Sequence, residues 1–306
     1  MSKDALRYRR EKALERRSRV WSALEPVAYL LPFMVSIIVF TVYPFFNVVF
    51  MSFREGFDLL TNTDNGIGLG NYAFVLSNRD FINALTNTGI YVAVVVPVSA
   101  ALAIVLANLL NRKVRGMAIF QTAYFLPMVT SAMAVGLAWR YIFLRDFGVL
   151  NQVLGWFGVD KINWLQRYPW SLYALIIFGI WSNLPFTIIL ILSGLQNIDE
   201  TYYTAARVDG ARSTRIFFRI TVPLLAPTIG LVLTINTISA SKVFSELFAL
   251  FNGPGIGGSL FTVVYYIYEQ FAKQKHAWAA AAAMILFVLI FIATMVQQYI
   301  QRKWTY

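Results

Sequence analysis

Six apolar runs, each long enough to cross a hydrocarbon core as a helix, follow one another along the chain at residues 27–51, 86–110, 117–143, 171–195, 223–243 and 277–300. A crossing helix needs about 20 residues, and the polar residues collect between these runs rather than inside them. The pattern predicts an all-α, polytopic membrane protein with six transmembrane helices, and an even number of crossings puts both termini on the same side. A further aromatic stretch, residues 259–271, carries Phe261, Tyr265, Tyr266 and Tyr268. It is too short to cross and includes Glu269, so it is expected at the membrane interface.

Prolines interrupt the runs at Pro32, Pro44, Pro97, Pro127 and Pro185. In lipid, a broken backbone survives only where protein or a water-filled path satisfies the released polar groups. Spans 3 and 4 are therefore expected to contribute to a pathway, with a packing kink as the alternative at any single proline. The organisation expected is a basic tail (1–26), one six-helix membrane domain (27–300) with its long connection at 196–222, and a short end (301–306).

Composition agrees: 58% of the 306 residues are hydrophobic and 13% charged, too apolar for the surface of a soluble domain of this size. The formal charge of +11 is spread over the connections, so it reads as a topology signal rather than as a nucleic-acid surface. The tail has eight Lys and Arg, the 111–116 connection has Arg112, Lys113 and Arg115, the 196–222 connection has Arg207, Arg212, Arg215 and Arg219, and the end has Arg302 and Lys303. These 17 face seven on the other side, with Arg140 and Lys242 near the outer ends of spans. Basic residues mark the cytoplasmic side, so both termini are expected there. Cysteine is absent, which excludes disulfides, thiolate metal sites and a cysteine nucleophile.

The 196–222 connection reads as two short helices. Asp199 can cap the first, which runs to Val208, and Asp209-Gly210 is a turn signal. The second, from Ala211 to Ile220, puts Arg212, Arg215 and Arg219 on one face and Ile216, Phe217 and Ile220 on the other, with Pro223 expected to stop it. Ala205, Ala206, Gly210 and Ala211 would let a partner approach the backbone. Physically, a docking surface and a helix lying on anionic lipid remain equal readings.

The segment from Thr204 to Pro227 resembles the cytoplasmic signature loop of ABC importer permeases, with Ala205, Ala206, Asp209, Gly210, Ala211, Phe217, Ile220, Pro223 and Pro227 at the family's spacing. Thr204 replaces the family's glutamate and Val222 its leucine; Glu200, one turn earlier, is the nearest substitute carboxylate. The resemblance is closest to the maltose-type carbohydrate-uptake permeases. It extends through Tyr43-Pro44, Gly70-Asn71-Tyr72, Phe125-Leu126-Pro127, Trp139, Gly148-Val149-Leu150-Asn151, Gly194-Leu195-Gln196 and Asn252-Gly253-Pro254-Gly255. It implies the type I ABC importer permease fold in a prokaryotic inner or plasma membrane. It also implies pairing with a second, related permease and docking of ATPase subunits on Thr204, Ala205, Ala206, Asp209, Gly210 and Ala211. An extracytoplasmic solute-binding protein would deliver the substrate. ATP and Mg would belong to the partner ATPase, with no cofactor in this chain and surrounding membrane lipid as a further partner.

Sugars are held by hydrogen-bonding groups and aromatic faces. Trp181, Ser182, Asn183 and Phe186 around Pro185, with Asn236 and Ser239 on span 5, are candidate pathway residues; hydrogen bonding between helices is the alternative for the two asparagines. Lys242 and Glu246 are expected to form an interfacial ion pair, and His276 to be interfacial. Gly253 to Gly258 reads as a turn, and Ala279 to Ala283 as a surface for close helix packing. The other function classes are poorly served. A self-contained secondary transporter needs a deep carboxylate that no span has, and HExxH, GxSxG and Walker patterns are missing from the sequence.

Overall fold

In the computed structural model of the protein, the described residues are 25–59, 61–111 and 117–304; the basic tail and the 112–116 cations lie outside them. Among the described residues, four helices are long and apolar enough to cross a membrane: α1 (Glu25–Phe53), α3 (Arg79–Leu110), α7 (Trp170–Gln196) and α13 (His276–Trp304). Between them come α2 (Gly70–Ser77), α4 (Met117–Val129), α5 (Ala132–Ile142), α6 (Val149–Trp156), α8 (Glu200–Val208), α9 (Ser213–Leu224), α10 (Ala226–Ala240), α11 (Ser245–Phe251) and α12 (Val263–Ala272). No strand is present among the described residues beyond two isolated bridges, Arg54 to Ile67 and Asp58 to Thr63, in the hairpin after α1.

Small residues bring the helices together. Ala100, Ala103 and Ala107 of α3 are buried against Ile188, Ile191, Leu192 and Leu195 of α7. A Cβ at Gly179 of α7 would fall 2.2 Å from the Tyr91 hydroxyl of α3. Ala281 and Ala282 of α13 pack with Val263 and Tyr266 of α12. Membrane helices gain little from excluding lipid, so such close approach supplies their packing energy. Large apolar side chains are turned outward instead: Phe33, Phe40, Leu126, Phe291 and Tyr299 are among those exposed, an apolar exterior that suits lipid or other subunits.

The spans differ from the expected runs in physical detail. Span 3, expected as one helix over 117–143, is two, broken at Thr130-Ser131 between α4 and α5. Span 5, expected over 223–243, is long enough to cross only as α9 and α10 together across their bend; after α10 the chain turns through 241–244 into α11, which packs on α5. Gly136 makes that contact possible, since a Cβ there would lie 2.2 Å from the Ala249 Cβ. Pro97 and Pro185 do not break their helices: both lie inside continuous α3 and α7. Two other prolines reshape theirs. Pro44 and Pro223 each follow a π-helical turn, Ile38–Val42 and Phe217–Thr221. A proline leaves the carbonyl four residues back without its partner and crowds it. Those carbonyls, on Phe40 and Arg219, lie inside the two π turns, where the wider helix makes room. Pro223 therefore does not end the second loop helix, which runs to Leu224 and meets α10 at a 66° bend; Pro227 then occupies the first turn of α10.

Residues 259–271 pack against neighbouring helices. They form most of α12, with Tyr266 fully buried and Phe261 nearly so, and Asn87 of α3 anchors the entry by donating to the Ser259 and Phe261 carbonyls at 2.9 Å each. His276, the first residue of α13, is buried edge-on to Phe271. Lys242 and Glu246 are not paired: Glu246 accepts from the Phe244 amide at 3.1 Å and so closes the first turn of α11.

Candidate functional site

The loop between α7 and α10 is built by two capping devices. At the start of α8, Asp199 accepts from the Thr201 amide at 2.9 Å. This bond, first from the backbone and then from the Thr201 side chain, holds the Asp199 carboxyl below its ordinary range. At the end of α8 the chain closes a Schellman turn. The Gly210 amide donates to the Arg207 carbonyl at 3.0 Å and the Ala211 amide to the Ala206 carbonyl at 2.9 Å. This pairing requires a left-handed residue at Gly210, whose φ is +71°, and places Ala211 against Ala206. The Ala-Ala-x-x-Asp-Gly-Ala pattern is thus the sequence of a helix stop whose own side chains are minimal.

Thr204, Ala205, Asp209 and Gly210 are exposed, Ala211 is half-buried and Ala206 is buried. The structure therefore brings five of the six loop candidates to the surface of the bend and turns Ala206 inward. The Thr204 hydroxyl donates to the Glu200 carbonyl at 3.1 Å. Glu200 itself lines a cleft of about 650 Å³ with Tyr203 and Arg207 of α8, Ile216 and Phe217 of α9, and the ends of α3 and α7. Arg212, just before α9, and Arg215 and Arg219 within it are exposed, while Ile216, Phe217 and Ile220 are half-buried. Sequence reasoning missed two exposed apolar side chains of the loop, Val208 beside the bend and Phe218 in α9, which are 83% and 69% exposed. Phe218 was legible in principle, because it falls off the apolar face set by Ile216, Phe217 and Ile220.

The span candidates separate into two groups. Asn183 donates to the Gly179 carbonyl at 2.8 Å within α7. Asn236 is buried and donates to Thr187 of α7 at 3.0 Å, the helix-to-helix alternative. Trp181 packs among Trp139 and Phe178, with ring centroids 5.2 and 6.2 Å away. Ser182, Phe186 and Ser239 are exposed.

On the other side of the bundle, the motifs around Asn71 and Asn151 turn out to be loop staples. Asn71 donates to the Ser52 and Arg54 carbonyls at 3.0 Å each, and Gly70 donates to Glu55 at 2.7 Å. Asn151 donates to the Ile162 carbonyl at 2.8 Å and accepts from the Trp164 indole at 2.9 Å and the Ile162 amide at 3.2 Å.

Residues 99–306, which include the whole capped loop, match the model of the binding-protein-dependent transport system inner membrane component family. The chain belongs to this family. It is a permease subunit of ABC importers and not itself an enzyme. The arabinooligosaccharides transport system permease protein AraP of Halalkalibacterium halodurans is 33% identical, over 90% of this chain and 87% of the relative. The trehalose/maltose transport system permease protein MalF of Thermococcus litoralis is 28% identical, over 87% and 90%. Among solved structures, a bacterial ABC transporter involved in the import of the acidic polysaccharide alginate shares the fold, with a TM-score of 0.79 at 24% identity, covering 93% of this chain and 99% of that one.

Proposed function

We propose that the protein is the pore-forming permease subunit of an ATP-driven importer for a sugar or a related polar solute. The observation that carries this reading is the exposed Schellman bend at Asp209-Gly210-Ala211, together with similarity to arabinooligosaccharide and trehalose/maltose permeases along most of the chain. An exposed bend of small residues, held rigid by two backbone bonds, suits insertion into a groove of another protein. In this reading the partner is an ATPase subunit, which binds ATP and Mg, and a second, related permease completes the pore.

Six crossings are proposed: the four long helices, the α4–α5 pair and α10 with the end of α9 leading into it, with both termini and the 196–222 loop in the cytoplasm as the basic residues favour. ATP binding on the partner moves α8 and α9, and the 66° elbow passes that motion to α10. The pore alternates between inward-open and outward-open forms. An extracytoplasmic binding protein delivers the solute. The exposed Ser182, Phe186 and Ser239 line the pathway beside Trp181 and Asn183, while Asn236 holds α10 to α7.

Purification from the native membrane in mild detergent, with mass spectrometry of what accompanies the chain, tests the reading. Nothing lies within 4 Å of a Cβ built at Gly210, so Gly210→Trp meets no clash inside the chain and obstructs a docked partner, in addition to the left-handed backbone strain that any L-residue brings there. Recovery of a second permease and an ATPase, with the ATPase lost from Gly210→Trp, is expected. A wild-type chain that comes alone and transports solute without ATP overturns the proposal in favour of a secondary transporter.

A further inference from the structure

The inside of the elbow between α9 and α10 is a cleft of about 420 Å³, closed on its far side by the last turns of α13. Val222, Ala226, Ile229, Leu233 and Ile300 make its walls. Two glutamines also reach it; their NH2 groups join helices, while the Gln297 Oε1 is buried without a partner. Gln297 donates to the Thr237 hydroxyl at 2.7 Å, and Gln301 donates to the Pro227 carbonyl at 3.2 Å. A Cβ at Gly230 would lie 2.0 Å from Gln301; with glycine there, Gln301 lies flat on α10. What remains is an apolar slot at one end of a membrane helix bundle.

Cations adjoin the lining residues along both helices. Arg219 lies one turn before Val222 on the same helix, and Arg302 and Lys303 directly follow Gln301 on α13; all three are exposed, Lys303 lying 4.8 Å from the Tyr299 ring centroid. The sequence has no Asp or Glu from Ala211 to Ser245, and none after Glu269. An apolar slot beside uncompensated cations is complementary to an anionic amphiphile, and basic pockets between membrane helices bind anionic headgroups.

We propose that this elbow is a binding site for an anionic phospholipid, with one acyl chain in the cleft and the phosphate at Arg219, Arg302 and Lys303. The elbow joins the docking loop to α10, so an occupied cleft holds the bend angle and lets membrane charge set how the loop is presented. That consequence rests on the importer reading; the site itself does not.

The test uses the intact purified complex with its partner subunits, stripped of lipid and then offered an equimolar mixture of phosphatidylglycerol and phosphatidylcholine. Retained lipid is counted by native mass spectrometry. The wild-type complex is expected to prefer phosphatidylglycerol, and Arg219→Gln, Arg302→Gln and Lys303→Gln to reduce that preference by about fivefold for each cation removed. Ala226→Phe fills the slot without changing charge and is expected to lose the site for either headgroup. Equal retention of both lipids by the wild type, or an undiminished preference in the triple glutamine variant, overturns the proposal. Loss of the second permease from Ala226→Phe with lipid counts unchanged also overturns it, and marks the cleft as a subunit contact. Lipid retention needs neither solute nor ATP, so failure here is distinguishable from failure of the importer reading.

Discussion

Gly210 offers a perturbation whose sign separates backbone strain from bulk. Its φ of +71° puts it in the left-handed region, and no atom lies within 4 Å of an added Cβ. Alanine therefore meets no clash inside the chain; its whole cost is the left-handed backbone, about 1–2 kcal/mol for an L-residue. Asparagine is larger but tolerates that conformation, because its side chain bonds locally to the backbone. A loss of 1–2 kcal/mol lowers the population of the closed turn by roughly 5–30-fold. Hydrogen exchange at the Ala211 amide, which donates to the Ala206 carbonyl, reads that population directly, and co-purification of the ATPase reads its consequence. Gly210→Ala is expected to speed exchange within this range and to weaken ATPase recovery, with Gly210→Asn closer to wild type in both. An asparagine variant as impaired as alanine, or worse, would refute the argument that the glycine is required for its conformation.

The other predictions follow the same physics. Asn151→Leu leaves the Trp164 indole and the Ile162 amide without their partner, at about 1–3 kcal/mol for each buried group, and the thermal midpoint should fall by roughly 5 °C or more. Gly136→Val forces α5 away from Ala249; overpacking of about 1–3 kcal/mol should appear as lower thermal stability. Asp199→Ala should speed hydrogen exchange at Thr201, and Asp199→Asn should not, because an acceptor oxygen remains. As the Asp199 carboxyl is held below its ordinary range, its cap is present above the normal carboxylate pKa and is lost only as pH falls through the lowered value, so exchange at Thr201 corrected for intrinsic rate should be flat across neutral pH. Phe186→Ala should alter transport without moving the thermal midpoint, whereas Asn236→Ala should lower that midpoint, through loss of about 0.6–1.7 kcal/mol of helix pairing.

The parts of the molecule governed by local rules were legible in the sequence. The long runs announced α1, α3, α7 and α13 because about 20 apolar residues have few other uses. Asp199 and Gly210 announced the ends of α8 because capping is decided within one turn of chain. What depended on distant partners was hidden. Pro185 looked like a break, yet α7 continues through it within the bundle. The α4–α5 break falls at Thr130-Ser131, where neither glycine nor proline marks it. The burial of Tyr266 did not show in its own segment, because Phe81 of α3, far away in the chain, covers it. Asn236 carried both of its expected readings in the sequence, and only Thr187 on α7 distinguished them.

ATP-dependent uptake by the reconstituted complex tests the central claim most directly. Proteoliposomes holding this permease, its co-purifying subunits and the binding protein would be loaded with Mg-ATP and offered labelled arabino- or malto-oligosaccharides. Uptake that requires enclosed ATP and disappears with Gly210→Trp is the predicted result. Uptake that proceeds without ATP, or that survives Gly210→Trp undiminished, would contradict the account.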